Sequence, residues 1–188
     1  MKAKEIVVCA LFAALMGVGA NVSPFLTIGG VPVTLQLLFA VLAGGLLGSR
    51  LGSIAMSAYV FIGLAGAPVF AQFKGGLGSV ISTTFGYVIS FIFVAYIVGK
   101  SLERIPSWMG YLMAGVLAIV INYVIGTNFM YFAYVYWVEA PASFSYVVAW
   151  SWMVAYLPLD IGVTVLSLVL IPRLQKAIKL MPVRRQLT

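Results

Sequence analysis

Six runs of apolar residues, separated by short polar or glycine- and proline-rich stretches, divide the chain. They cover residues 6–22, 33–49, 51–65, 79–99, 108–131 and 147–171. A helix needs about 20 apolar residues, with a lower limit of about 17, to cross a hydrocarbon core of ~30 Å. The pattern therefore predicts an all-α integral membrane protein, a bundle of six transmembrane helices that forms a single domain over residues 1–188.

The connections between these runs also carry information. The second and third runs are short and are separated only by Arg50, and glycines precede it at Gly44, Gly45 and Gly48. Glycines let helix backbones come close, which favours a tight hairpin, although tilted or broken helices would fit the same pattern. The connection 23–32 is unusually apolar, so we expect it to fold over the bundle. The connection 132–146 is aromatic, as is typical of a membrane interface.

Charge then orients the bundle. Only 8% of the residues are charged and 63% are hydrophobic, whereas soluble domains have about a quarter charged. Ten of the eleven Lys and Arg residues flank the runs on one side, and Lys74 alone falls on the other. Because positive residues concentrate on the cytoplasmic side, both termini are predicted to be cytoplasmic in the cell membrane. The net charge of +7 then needs no nucleic-acid partner. The tail 173–185 is expected to lie on anionic lipid headgroups.

The chain lacks the residues that several classes of chemistry require. The chain has no histidine and one cysteine, Cys9, so it has no internal disulfide, no zinc ligand set and no Ser-His or Cys-His pair. It has no glycine-rich loop ending in Lys-Ser or Lys-Thr, so it does not bind ATP by a P-loop. The first run resembles a signal peptide, but five further runs make an uncleaved first span the simpler interpretation. No metal or cofactor is expected, and the chain is not expected to be an enzyme.

Asp160 is the most informative single residue. It lies within the run 147–171, about 20 Å from the boundary marked by Pro172 and Arg173. A bare aspartate in the middle of a membrane helix costs about 2.5 to 3.5 kcal/mol, so it normally has a partner, a cavity or a ligand. A polar anchor inside a binding cavity is the functional interpretation. A neutral or purely helix-pairing Asp160 is the alternative.

Three other polar residues lie at a similar depth. Gln36, Tyr87 and Asn122 are, like Asp160, 13 or 14 residues from the cytoplasmic ends of their runs, or about 20 Å above the cytoplasmic face. Side chains from four helices at one level predict a shared cavity open to the outside. The same layer is also compatible with inter-helix hydrogen bonds alone, at about 0.6 kcal/mol each.

Lys74 is the single cation on the predicted outer side, and it precedes Gly75 and Gly76. These glycines let the backbone fold close to a ligand. The lysine is interpreted either as a receptor for the carboxylate of an anionic solute or as a solvated loop residue.

Taken together, several stretches resemble the BioY family of biotin-binding proteins. They are residues 31–36 (Val-Pro-Val-Thr-Leu-Gln), 63–70 (Gly-Leu-Ala-Gly-Ala-Pro-Val-Phe), 75–78 (Gly-Gly-Leu-Gly) with Gly86-Tyr87, and 158–160 (Pro-Leu-Asp). Members of this family are the substrate-capture S components of energy-coupling factor (ECF) transporters. The resemblance covers residues 10–171 in the same order and spacing.

The resemblance implies six helices, biotin bound near the outer face, and ATP hydrolysis by separate subunits. It points to Asp160 and the Lys74–Gly78 loop as ligand contacts, with Gln36 and Tyr87 nearby. The small-residue pair Ala10 and Ala14 resembles the motif by which S components dock on the transmembrane coupling subunit. Small pairs of this kind, such as Ala13 and Gly17, also occur in ordinary helix packing.

Two departures from the family pattern bear on the carboxylate of the ligand. Val163 stands where many members have a lysine, three residues after the aspartate. Val88 stands where some have an arginine, directly after the Gly-Tyr pair. Lys74 is then the basic residue left on the outer side. The rival solutes are another vitamin or a lipoate-like acid. A membrane enzyme is a weaker rival because the sequence has no close carboxylate pair, and a channel or scaffold is weaker still because the outer cation offers no evident ion path.

Overall fold

The computed structural model describes residues 1–22, 27–28, 31–32 and 34–178, and most of them are helical. Helices and strands follow in this order: α1 (Ala3–Asn21), β1 (Thr27–Ile28), β2 (Val31–Pro32), α2 (Gln36–Leu64), the 3-10 helices Ala71–Phe73 and Leu77–Ile81, α3 (Phe85–Arg104), α4 (Trp108–Tyr136), α5 (Tyr146–Val154) and α6 (Leu157–Ile178). Within this described part, five helices are long and apolar enough to cross a membrane: α1, α2, α3, α4 and the stretch Leu157–Ala177 of α6.

α2 is a hairpin. Its backbone leaves the helical region at Gly48, where φ is 82° and ψ is 174°. The Gln36 side chain donates a 2.9 Å hydrogen bond to the Tyr59 hydroxyl, although 23 residues along a straight helix would span about 35 Å. The chain therefore reverses at Gly48, two residues before Arg50, where the sequence places a turn. A positive φ suits glycine because glycine has no Cβ.

Glu103, in the last turn of α3, caps this reversal. Its carboxylate accepts the Ser49 backbone N–H at 2.7 Å and the Ser49 hydroxyl at 3.0 Å, and Lys100 Nζ lies 3.8 Å away. The N–H groups at the start of a helix have no partner within that helix, and an acceptor there stabilises it. Gly99 allows the approach, since a Cβ at this position would collide with the Ser49 backbone nitrogen.

The core lies between α1, α2, α3 and α4, and α6 is attached from outside. Fully buried core side chains include Met16, Met56, Tyr59, Val94 and Val98. α6 contacts this core along one stripe: Ile171 packs on Gly45, Ser167 Oγ lies 3.4 Å from the Leu38 carbonyl oxygen, and Gln175 donates to the Gly45 carbonyl oxygen at 3.1 Å. The rest of α6 is largely exposed, which in a membrane means that it faces lipid.

The sixth predicted run, 147–171, is not one helix. It is divided into α5 and α6, with a turn at residues 155–156. Pro158 explains the break, because a proline ring clashes with the carbonyl group four residues earlier, and that residue, Val154, is the last of α5. Asp160 consequently lies in the first turn of α6 rather than in the middle of a helix.

Other boundaries also differ from the predicted runs. The fourth run, 79–99, begins in the 3-10 helix Leu77–Ile81, and α3 starts only at Phe85 and continues to Arg104. α4 extends to Tyr136, five residues beyond the predicted end at 131. The connection 23–32, predicted to cover the bundle, falls mostly outside the described residues. Of it, the structure gives the antiparallel pairing of β1 with β2, in which Thr27 lies opposite Pro32 and Ile28 opposite Val31.

Glu103→Ala should destabilise the protein by about 1 to 3 kcal/mol, because it leaves the Ser49 N–H without its charged acceptor. Thermal unfolding in detergent measures the effect as a lowered Tm. Glu139→Ala is the matched control, since Glu139 is exposed in the connection between α4 and α5. Equal Tm values for the two variants would show that the cap contributes nothing.

Candidate ligand-binding site

Asp160 lies in the first turn of α6, next to α4. Its Oδ2 accepts a hydrogen bond from the Tyr123 hydroxyl of α4 at 2.7 Å. The side chain is half-buried, so one carboxylate oxygen is fixed by the protein while the group keeps access to a cavity or to solvent. A carboxylate in this state can accept a further N–H or O–H donor.

Tyr87 joins three helices next to Asp160. Its hydroxyl lies 3.0 Å from Thr127 Oγ1 of α4 and donates to Met153 Sδ of α5 at 2.7 Å. Gly126 provides the space for the ring, because a Cβ at Gly126 would collide with it. The tyrosine is therefore held in one position between α3, α4 and α5.

Asn122 is tied to the same helix as Tyr87. Ser90 Oγ lies 2.7 Å from Asn122 Oδ1 and 2.7 Å from the Tyr87 carbonyl oxygen, and Asn122 is 5% exposed. Since Asn122 also precedes Tyr123, the structure brings three of the four layer residues, Tyr87, Asn122 and Asp160, into one connected group.

Gln36 takes part in a different contact. It is buried and donates to the Tyr59 hydroxyl, which in turn donates to the Val69 carbonyl oxygen at 3.1 Å. This pair connects the two arms of the α2 hairpin to the loop that follows. Phe70 fills the space between this pair and α3: its ring centroid lies 5.5 Å from that of Tyr59 and 6.2 Å from that of Phe85. The aromatic rings thus separate Gln36 from the Asp160 group.

Lys74 and Gly75 line an outer cleft of about 680 Å³, which is within the range typical of small-molecule sites. The remaining lining residues are Phe73, Gly78, Ser79, Ile81, Ser82, Thr83, Tyr134 and Val138. Gly76, with φ at 87°, forms the turn below the cleft. Lys74 itself is exposed, so its ammonium group can move over the mouth of the cleft.

The loop that carries Lys74 is anchored at three points. Phe70 is inserted against Gly63, the Phe73 N–H donates to Asn21 Oδ1 of α1 at 2.6 Å, and Trp137 Nε1, directly after α4, donates to the Ile81 carbonyl oxygen at 2.7 Å. Gly75 packs so tightly on Ala67 that a Cβ would collide with the Ala67 carbonyl oxygen. These contacts therefore hold the loop, and with it the shape of the cleft, in place.

The cleft lies above the Asp160 group. Thr83 lines the cleft, and Tyr87 follows it by four residues, or about 6 Å along the start of α3. On α4, Tyr134 lines the cleft, and Tyr123 lies about 16 Å deeper. Lys74 and Asp160 therefore lie at different levels of the bundle, and neither Asp160 nor its partner Tyr123 lines the cleft.

Sequence reasoning missed three residues that bond to this group, Tyr123, Thr127 and Met153, and two polar side chains on α5 and α6, Trp150 and Thr164. Tyr123 and Thr127 are one helical turn apart next to Asn122 and Gly126, a spacing that places them on one face of α4. That spacing is the signal that could have identified them. Met153 and Trp150 carried no signal of their own, because they were counted as part of an apolar run.

The two valines that replace family cations lie in different surroundings. Val88 is buried in the core at 8% exposure, where an arginine would need a partner. Val163 is half-buried on α6, and its carbonyl oxygen accepts the Ser167 hydroxyl at 2.7 Å. Among the residues that the structure describes, no group of three or more Cys, Asp or Glu side chains is placed to hold a metal ion.

The two small-residue pairs of α1 face opposite directions. Ala13 and Gly17 are buried, and Gly17 packs on Val69. Ala10 and Ala14 are exposed, next to the exposed Val7 and Leu11. α1 therefore presents a shallow outward surface around Ala10 and Ala14.

The chain is similar to known proteins over most of its length. A model of the BioY family matches residues 1–180. A Bacillus subtilis protein named putative biotin transporter BioYB is 39% identical over 183 residues, which cover 95% of this chain and 90% of that protein. The biotin transporter BioY of Thermotoga maritima is 36% identical over 144 residues, which cover 77% and 83%.

A solved structure shows the same fold. It is the S-component for biotin from an ECF-type ABC transporter, with a TM-score of 0.69 at 24% identity, covering 94% of this chain and 95% of that one. The family match spans almost the whole chain, and the five long apolar helices agree with a multi-pass protein of the cell membrane. The chain belongs to the BioY family.

Proposed function

We propose that this protein captures biotin at the outer face of the cell membrane and serves as the substrate-binding S component of an ECF transporter. The names of its relatives and its membership of the BioY family support this proposal. The observation that carries it is the half-buried Asp160 carboxylate, which accepts a hydrogen bond from Tyr123 at one oxygen, in a bundle that also carries a cleft lined by Lys74.

Asp160 and Lys74 carry chemical groups that match the two ends of biotin. The ureido ring carries N–H donors, and Asp160 offers a carboxylate acceptor. The valerate tail carries a carboxylate, and Lys74 offers a cation at the cleft. Gln36, Tyr87 and Asn122 are the other polar contacts proposed from the sequence, and Gly75 and Gly76 shape the loop. The structure places Tyr87 and Asn122 in the group that contains Asp160, whereas Gln36 would have to act from beyond Phe70.

We further propose that both termini are cytoplasmic and that six helices cross the membrane. The reversal at Gly48 supports this count, because it converts the 29 residues of α2 into two antiparallel arms. The basic residues Arg50, Lys100, Arg104, Arg173 and Lys176 lie at the hairpin turn or near the adjoining helix ends, which supports the orientation. The remaining basic residues of the tail, at 179, 184 and 185, lie outside the described residues.

Transport needs further subunits under this proposal. The sequence has no P-loop, so ATP hydrolysis is assigned to separate ATPase subunits, and a transmembrane coupling subunit would dock on α1 at Ala10 and Ala14. The protein is then a transport component without a cofactor or an enzymatic activity of its own. The exposure of both alanines supports this location for the docking surface.

Isothermal titration calorimetry of the purified protein tests biotin capture. Binding below micromolar concentrations is expected, and its absence would reject the proposal. Asp160→Asn should weaken binding by about ten- to a hundredfold, since it removes a charged acceptor worth about 1.5 to 3 kcal/mol. Glu139→Gln, at an exposed carboxylate, is the control and should bind like the wild type.

Lys74→Ala should have a smaller effect, about two- to fivefold, because an exposed ion pair contributes at most about 1 kcal/mol. The loss should shrink as salt is raised, since screening already weakens the wild-type interaction. Titrations at two ionic strengths measure both quantities, with Lys4→Ala as the control. A loss that does not depend on salt would show that Lys74 acts through loop structure instead.

Ala14→Leu should abolish biotin uptake in cells that contain the coupling and ATPase subunits, while the purified variant keeps wild-type affinity for biotin. Added bulk prevents the close approach of another helix backbone. Val120→Phe adds similar bulk at an exposed position on α4 and should leave uptake unchanged. Normal uptake by the Ala14 variant would place the docking surface elsewhere.

A second candidate is an S component for a different acidic nutrient, such as a lipoate-like acid. The observation that favours it is that Val88 stands where some family members have an arginine, and Val163 where many have a lysine. A competition panel with biotin, lipoate and other vitamins separates the two candidates.

A further inference from the structure

Two buried polar atoms near the Asp160 group have no hydrogen-bond partner within the described part of the chain. They are Trp150 Nε1 on α5 and Thr164 Oγ1 on α6. A buried polar group without a partner is costly, and native proteins retain few of them. Thr164 can rotate its hydroxyl toward the carbonyl group of its own helix, as threonines in helices often do. The indole N–H of Trp150 has no comparable local acceptor, so it carries more information.

Trp150 lies on the side of α5 that packs toward α4, since its ring centroid is 6.3 Å from that of Tyr146 and the Tyr146 hydroxyl donates to Asn128 Oδ1 of α4. Met153, three residues later, accepts the Tyr87 hydroxyl, and Ala149 beside it is fully buried. Positions three and four apart share a helix face, so Ala149, Trp150 and Met153 point toward the bundle together. Trp152 points elsewhere, because its ring packs on Tyr134 and Phe144 near the outer connection.

The chemistry of the missing partner follows from the indole. A tryptophan Nε1–H is only a donor, so the group that completes it must be an acceptor. Asp160 is only an acceptor when ionised, so it needs a donor. A cyclic urea presents both in one planar group, with N–H donors on either side of a carbonyl oxygen.

We propose that Trp150 is a specificity-determining residue that donates its indole N–H to the ureido oxygen of the ligand, while Asp160 accepts a ureido N–H. This inference rests on biotin being the solute. It assigns recognition of the ureido oxygen to α5, a helix that carries none of the site residues predicted from the sequence. Ligand binding would then provide an acceptor for the indole N–H of Trp150, which has none among the described residues.

The probe is 2-iminobiotin, a guanidine that is protonated at neutral pH and presents N–H donors where biotin presents an acceptor. Its positive charge also attracts Asp160, so the two ligands are compared between the wild type and variants of Trp150 rather than in the wild type alone. If the wild type binds neither ligand, the proposed function itself fails, and that result is distinct from an unchanged ratio of the two affinities in the variant.

Trp150→Phe should weaken biotin binding by about five- to fiftyfold and change 2-iminobiotin binding by less than twofold. The ratio of the affinity for biotin to the affinity for 2-iminobiotin therefore falls by nearly the whole loss in biotin affinity. Trp152→Phe is the matched control on the same helix and should keep wild-type affinity for both. A Trp150 variant that loses affinity for both ligands to the same extent would show a structural role, and one that keeps the full discrimination would show no role.

Discussion

Keeping a carboxylate inside an apolar bundle is the constraint that organises the outer half of this protein. Asp160 cannot be left in a continuous lipid-facing helix, since its solvation there would be poor. Pro158 interrupts the backbone before it and places Asp160 in the first turn of α6, where the helix dipole favours a negative charge. Tyr123 then supplies a direct donor from α4.

The two halves of the bundle are built differently. On the side of Arg50, the hairpin turn is closed by Glu103 and Gly99 of α3, and α6 is fixed by Ile171 and Gln175 against Gly45. On the other side, 3-10 turns, the late start of α3 and the gap between α5 and α6 interrupt the helices. Irregular backbone at membrane depth is tolerated where protein buries it or where it lines a cavity. The half around Arg50 is therefore firmly packed, whereas the half that contains Asp160 and Lys74 has the breaks in its helices.

The sequence was informative where the signal was local. Arg50 with its preceding glycines indicated the reversal at Gly48, because a positive charge and a flexible backbone act on their immediate neighbours. Pro158 is a local signal of the same kind for the break between α5 and α6, but it stands inside a long apolar run that predicted one continuous helix. Equal spacing from the cytoplasmic ends grouped Tyr87, Asn122 and Asp160 correctly.

The remaining features depend on contacts between distant parts of the chain. Gln36 has the same depth as the other layer residues by counting, yet the direction of its side chain toward Tyr59 depends on how the hairpin packs. The cap of Ser49 by Glu103 and the donation from Tyr123 to Asp160 join residues 54 and 37 positions apart, respectively. No local pattern encodes such pairs.

The vertical separation of Lys74 and Asp160 suggests how their roles differ under the proposed function. Lys74 is exposed beside the outer cleft, whereas the Asp160 group begins about 16 Å deeper along α4. An exposed cation chiefly attracts an anionic solute and raises its rate of association, while a desolvated, hydrogen-bonded contact chiefly lengthens its residence. The valines at 88 and 163 thus leave the deep site without a cation of its own, and the remaining positive charge acts at the entrance, before the ureido ring reaches Asp160.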